Sequence, residues 1–384
     1  MKKNLSAYVK EPQFLSIGII FALNAVLFSL WVTRLPEVKE TLGLSEGTLG
    51  FVLFFMPLGA FLAMLVTSSI VRKWGAGPVT IWSTAAYCFS MLFPLLAPNS
   101  YALSASLFMI GITSGVMDIS MNAVAAALEK IHDKVIMATT HGFFSLGGMI
   151  GAFLGSAFIG IGFPGWAPMS VAVLLCWIGL ILLNRMIGHI IDKDEADEGS
   201  HFALPGKAVL GLAIIAFCTM MGEGAVADWS GVYLKGITLA EGTLIGLGYA
   251  GFSLAMTIGR FYGDGLIHRM GGLRIILLGS LLSLSGLGLV LVGETYSTIL
   301  GFTMIGFGYS SIIPVVFSEA ARSDKQSASR GITAVASLGY LGFLVGPVVI
   351  GLISEEGGLR MGMIFLLTMA LTTLLIARGS IRKG

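Results

Sequence analysis

A carboxylate stands where an apolar chain should have none. Asp118 lies in the stretch from Tyr101 to Glu129, and Asn122 follows four residues on, which puts both on one face of a helix. A charged side chain at the centre of a membrane-spanning helix costs about 2.5–3.5 kcal/mol even on lenient insertion scales, so it faces a cavity or a partner. A carboxyl whose access to water changes can take up and release a proton, the chemistry a coupling site needs. The competing role is a protonated carboxyl hydrogen-bonded across a helix interface. His141 is a second candidate for proton exchange, because imidazole titrates between pH 5 and 8; a satisfied interface histidine is the alternative.

A second acidic pair is Glu223 and Asp228, in the string Gly222, Glu223, Gly224, Ala225, Val226, Ala227, Asp228, Trp229. Five residues rotate a helix by about 140°, so the two acids cannot share a face. Glu223 is expected in the pathway as a second proton-coupling acid, where Gly222 and Gly224 weaken the helix as in the interrupted helices that line transporter sites. Asp228 is expected either in the pathway or in an outside-end ion pair with Arg34 that acts as a gate. Arg260 and Asp264 are four apart and can pair on one face; with Arg269 they read as a conformational latch. Asn24, Asn122, Trp229, Tyr309, Ser310 and Ser311 are candidates to contact a hydroxylated solute, by hydrogen bonds or aromatic stacking. Interhelical polar contact is the competing reading for the serines and asparagines, and an interfacial aromatic belt for Trp229.

These residues need helices that cross a bilayer. Of the 384 residues, 55% are hydrophobic and only 11% charged, against roughly 25% charge in soluble domains. Apolar runs of about 20 residues, enough for about 30 Å of hydrocarbon, recur twelve times. They lie near residues 13–33, 47–71, 78–97, 101–128, 136–162, 167–188, 207–234, 242–268, 273–292, 297–321, 331–353 and 361–378. With a cytoplasmic N-terminus, 18 of the 23 Lys and Arg fall in inside segments and only Arg34, Lys39, Lys235 and Arg360 outside. By the positive-inside rule both termini are expected in the cytoplasm, and the net charge of +2 points to no nucleic-acid partner. The first apolar run is long and has no small-residue cleavage site, so it reads as a retained helix. Cys88, Cys176 and Cys218 fall in separate spans and read as small buried residues.

The chain also repeats itself. Ser45-Glu46-Gly47-Thr48-Leu49 returns as Ala240-Glu241-Gly242-Thr243-Leu244, and Met109-Ile110-Gly111 as Met304-Ile305-Gly306, each at an offset of 195. Gly148, Gly151 and Gly155 share the spacing of Gly339, Gly342 and Gly346. The expected fold is an all-α membrane protein of twelve transmembrane helices in two six-helix bundles related by pseudo-two-fold symmetry. The expected domains are an N-terminal bundle over 1–188, a cytoplasmic linker over 189–206 rich in acids, and a C-terminal bundle over 207–384.

Twelve spans in two halves, a central polar loop, and the basic glycine turns Arg72-Lys73-Trp74-Gly75 and His268-Arg269-Met270-Gly271 together resemble the major facilitator superfamily. Asp118 with Asn122 resembles the fourth-helix acid and asparagine of its fucose permease-like group. Arg72 and His268 stand where the superfamily's loop motif usually has an acid, and no acid lies near Val32, where that group has a first-helix one. The resemblance implies secondary active transport in the bacterial inner membrane, with proton symport of a sugar or related hydroxylated metabolite as the specific expectation. Export of a metabolite or amphipathic compound is the alternative, and a membrane sensor is the one outside transport. No P-loop, H-E-x-x-H or G-x-S-x-G arrangement occurs, so no enzyme activity, cofactor or metal is expected. The expected partners are a small-molecule substrate, protons and the lipid bilayer, with the chain acting as a monomer.

Overall fold

A computed structural model describes the backbone of residues 8, 10–191, 204–207, 209–323 and 328–381. Most of the 189–206 linker therefore lies outside the described residues. Among the described residues twelve stretches are long and apolar enough to cross a membrane, and they correspond one for one to the twelve apolar runs. In chain order the helices are α1 (Pro12–Val32), the short α2 (Leu35–Thr41), α3 (Glu46–Trp74), α4 (Ala76–Ser90), α5 (Ser100–His132), α6 (Met137–Gly160) and α7 (Trp166–Ile187). There follow α8 (Leu210–Gly236), α9 (Leu244–Met270), α10 (Gly272–Val292), α11 (Thr295–Tyr309), α12 (Ile312–Ser323), α13 (Ala328–Gly357) and α14 (Leu359–Ile381). Every transmembrane element is a helix because lipid offers no partner for a backbone N–H or C=O.

The chain forms two compact units, one of Met1–Arg34 with Phe55–Glu198, the other of Leu35–Phe54 with Gly199–Gly384. Residues 35–54 thus group with the second unit, whereas the sequence division at 188 counts them with the first. The packing on Gly351, Glu355, Gly231 and Lys235 described below accounts for this.

In the first unit α6 packs along α1 and α3 crosses α5. Gly59 and Gly111 face each other at the α3–α5 crossing, where a Cβ on Gly111 would stand 2.9 Å from Ala60 N. On α6 the close approach is made by Gly147 and Gly151, against Ala22 and Val26 of α1. Gly148, the first member of the expected row, makes only ordinary contacts. The second unit repeats the device: Gly339, Gly342 and Gly346 of α13 lie against Met220, Phe217 and Met221 of α8. Small residues let backbones meet where lipid supplies no hydrophobic drive for helix association.

The tenth span is not one helix. It breaks between Tyr309 and Ile312, and Pro314 supplies the reason: it has no N–H to give the Ser310 carbonyl one turn back, and its ring crowds that carbonyl. The seventh span, in which Gly222 and Gly224 are expected to weaken the helix, runs unbroken as α8.

Candidate functional site

In the first unit, α5 carries Asp118 near its middle. Asn99 caps its start by accepting the Ala102 N–H at 2.9 Å, and Asp133 ends it with a left-handed φ of 50°. Glu129 then reaches past the turn and accepts the N–H groups of Ile136 at 2.6 Å and Met137 at 2.8 Å, which ties the start of α6 to the end of α5. Asp118 and Asn122 are both half-buried. The Asn122 amide donates to the Asp118 backbone carbonyl at 2.8 Å and lies 3.5 Å from the Asp118 Oδ1. The asparagine is therefore anchored mainly on the helix backbone and only loosely engages the carboxyl. Asn24 is buried on α1, and its own carbonyl accepts the Tyr87 hydroxyl at 3.1 Å. His141 sits exposed in the first turns of α6 with its ring edge-on to Phe21, centroids 5.1 Å apart. Arg34 is buried at the end of the first unit's opening segment, its aliphatic stem against Gly165.

The second unit gathers its polar residues around the break in the tenth span. Gly222 admits the Tyr309 ring: a Cβ there would stand 2.6 Å from the tyrosine hydroxyl. Gly224 admits Phe343 of α13, whose Cδ1 would be 2.9 Å from a Cβ. The two glycines lie about 100° to either side of Glu223 around the helix. Tyr309 and Phe343 therefore pack on roughly opposite sides of α8, and Glu223, half-buried, projects from the face between them. The glycines serve ring packing and leave the helix intact. Tyr309 and Glu223 are close enough to interact electrostatically, and Glu223 lies in the field of the Arg260 guanidinium. Arg260 is exposed on α9, beside Gly259, which packs on Ser310; one turn on, Gly263 packs on Ser311. Ser310 is buried and donates to the Phe307 carbonyl at 2.8 Å.

The remaining candidates fall elsewhere. Trp229 is fully buried, with an indole N–H that has no hydrogen-bond partner among the described residues, so its ring offers no open face for stacking in this conformation. Asp228 is half-buried on the same helix. Arg269 is exposed in the last turn of α9, where a cation complements the helix dipole. The Asp264 side chain, central to the expected latch, lies outside the described residues.

Sequence reasoning missed two features. Phe343 carried no signal, being one apolar residue in an apolar helix. Cys88 of α4 and Cys176 of α7, which have no telling spacing, are brought close enough for their thiols to interact. The Trp177 indole binds the same two helices by donating to the Ala85 carbonyl at 3.2 Å.

Twelve membrane-crossing stretches in two units, with carboxyls held inside the apolar layer of each, define a multi-pass membrane transporter. The description Major Facilitator Superfamily matches residues 14–323, and the chain belongs to that family. An uncharacterized MFS-type transporter of Yersinia pestis is 29% identical over 371 residues, covering 95% of this chain and 96% of the relative. Membrane protein MosC of Rhizobium meliloti is 30% identical over 364 residues, 93% of this chain and 88% of the relative. Among solved structures, nucleoside transporter NupG aligns over 97% of this chain and 98% of its own, with a TM-score of 0.75 at 14% identity. A bacterial homolog to the human lysosomal transporter Spinster, inward-facing and occupied, aligns with a TM-score of 0.70 at 13% identity, over 98% of this chain and 97% of its own. At such identities the two structures establish the fold alone.

Proposed function

We propose that this transporter is a proton-coupled symporter of a small hydroxylated solute, a sugar or a related metabolite, working by alternating access. The observation that carries the reading is Asp118: an acid in the middle of an apolar helix, half-buried, with its neighbour Asn122 bonded chiefly to the backbone. A carboxyl held this loosely is free to exchange its proton as its surroundings change. Asp118 is the coupling residue, and Asn24 and Asn122 offer hydrogen bonds to solute hydroxyls. In the second unit Glu223, Tyr309 and Ser310 do the same. A nucleoside, the cargo in NupG's name, falls in the same chemical class. The distribution of Lys and Arg supports a bacterial inner-membrane protein with both ends in the cytoplasm. His141 is a secondary proton-exchange candidate, and Arg34, Asp228, Arg260, Asp264 and Arg269 are gating candidates.

The test is reconstitution in liposomes with an imposed pH gradient, using a solute panel of monosaccharides, sugar acids and nucleosides. Uphill accumulation of one of them, dissipated by a protonophore, is the expected result. Asp118→Asn retains solute exchange and loses accumulation. Accumulation that survives Asp118→Asn removes the residue from the coupling role. Movement only from the inside out under the opposite gradient replaces symport by export.

A further inference from the structure

We propose that the outer seam between α4 and α7 holds an anionic diacyl phospholipid, its phosphate against Lys73 and Arg185 and an acyl chain along Trp82, Ala86 and Phe89. The site is separate from the solute pathway and does not depend on what the cargo is.

The two helices are joined at two levels. Within the apolar layer the Phe89 ring of α4 stacks on the Trp177 ring of α7, centroids 6.0 Å apart, and the Trp177 indole bonds Ala85. At the helix ends the Gly77 N–H donates to the Ile190 carbonyl at 2.9 Å, and a Cβ on Gly75 would stand 3.3 Å from Ile191. The chain leaving α7 thus lies against the turn that joins α3 to α4. On α4, Trp82, Ala86 and Phe89 form one exposed stripe at i, i+4 and i+7. Ala86 is a low point between two large rings. On α7 the exposed stripe Ile178, Ile181 and Arg185 runs at i, i+3 and i+7 and ends in a cation.

The charge at this end of the seam has no counterpart in the nearby chain. Arg72 and Lys73 close α3 and are exposed, and the Lys73 ammonium lies 5.7 Å from the centroid of the exposed Trp74 ring. Arg72 donates to the Ser69 hydroxyl at 3.1 Å. Neither of these cations nor Arg185 makes an ion pair among the described residues. The sequence has no Asp or Glu from Gly47 to Met117, and none from Val135 to Ile191. Cations at the end of a lipid-facing stripe find their counter-charge in headgroup phosphates, and tryptophan prefers the same level of the bilayer. A zwitterionic headgroup brings its own ammonium to such a patch, whereas an anionic one does not. A free phosphate offers the charge but no chain for the apolar stripe. The seam therefore selects a whole anionic lipid.

The experiment titrates the purified, delipidated full-length protein in neutral detergent with palmitoyl-oleoyl phosphatidylglycerol, the matching phosphatidylcholine, and glycerol 3-phosphate. Melting temperature reports binding, and native mass spectrometry counts the lipids retained. Phosphatidylglycerol stabilises the wild type in a saturable way, and the other two do not. The double variant Lys73→Gln, Arg185→Gln weakens its binding about thirtyfold, roughly fivefold for each cation lost. Lys73→Arg with Arg185→Lys keeps it within about threefold. Both cations are exposed, so each variant keeps the lipid-free melting temperature. Ala86→Phe fills the low point of the stripe and weakens lipid binding with the charges intact. Equal stabilisation by phosphatidylcholine removes the charge selection and overturns the proposal. Equal stabilisation by glycerol 3-phosphate replaces the lipid by a free anion. Phosphatidylglycerol binding that survives the double glutamine variant, or is untouched by Ala86→Phe, places the lipid elsewhere on the protein.

Discussion

The Gly47 N–H donates to Glu355 Oε2 at 2.9 Å, so a carboxylate at the end of α13 caps the first turn of α3, 308 residues away in sequence. Ser45 contributes the local cap by accepting the Thr48 N–H at 3.3 Å. Below it the helices touch through glycine on both sides: a Cβ on Gly50 would stand 2.9 Å from the Gly351 Cα. Lys39 pairs with Glu46 at 3.1 Å, Lys235 bonds Glu40, and Pro36 rests on Gly231. The helix start carries partial positive charge, which a carboxylate stabilises and a neutral group does not.

Removing that carboxylate frees the start of α3. Glu355→Ala is expected to raise amide hydrogen exchange across residues 46–50, while Glu355→Gln, which keeps an acceptor oxygen, gives an intermediate effect. Exchange that is unaltered in the alanine variant would show that glycine packing alone holds the segment.

The glycine crossings carry a second prediction, opposite in sign at two sites. Gly111→Ala drives a methyl into the Met56 and Ala60 backbone, which cannot yield as a side chain tip can, and is expected to cost about 1–3 kcal/mol. Gly288, on the exposed side of α10, has nothing within 4 Å of a Cβ. Gly288→Ala is therefore expected to gain up to about 1 kcal/mol from helix propensity. Melting temperatures in one detergent decide both, and equal shifts would remove the packing argument.

The spans and the repeat were legible because lipid enforces a crude rule: about 20 apolar residues per crossing, read without knowing any contact. Asp118, Glu223 and Arg260 were legible for the same reason, as exceptions to it. What sequence could not supply was rotation and partnership. Gly222 and Gly224 looked like helix weakeners, and only the rings of Tyr309 and Phe343 show them to be clearances. The break in the tenth span was written in Pro314, yet Pro57 and Pro347 sit inside continuous helices, so proline alone does not announce a break. The attachment of residues 35–54 to the second unit depends on Glu355 and Gly351, far off in the chain.

Glu294 gives a prediction in pH. It caps α11 by accepting the Ser297 N–H at 2.8 Å, and the bonds from Ser297 and Tyr296 hold its carboxyl below the usual range. A carboxyl depressed in the folded state stabilises above its unfolded pKa of about 4.3 and loses that contribution as pH falls through the folded value. Glu294→Gln removes the titration. Wild type is expected to be the more stable of the two from pH 6 to 8, with the difference closing below about pH 4. A gap that persists unchanged into acid would assign the effect to something other than the carboxylate charge.

The break in the tenth span can be healed by one substitution. In Pro314→Ala the new N–H can reach the Ser310 carbonyl, and the crowding by the ring disappears. Up to about 3 kcal/mol of helix propensity is recovered at that position, so the ligand-free protein is expected to melt at the same temperature or higher. Tyr309 is the last residue of α11 and its ring packs on Gly222, so a bond added at the neighbouring Ser310 carbonyl is expected to shift that ring. Solute binding is therefore expected to weaken while stability holds or rises, the reverse of the usual correlation between a damaging substitution and a falling melting temperature. Measuring both quantities on the same purified sample separates the outcomes. Unchanged affinity would mean that Tyr309 keeps its place without the break, and that the break serves movement of α12 in place of the site.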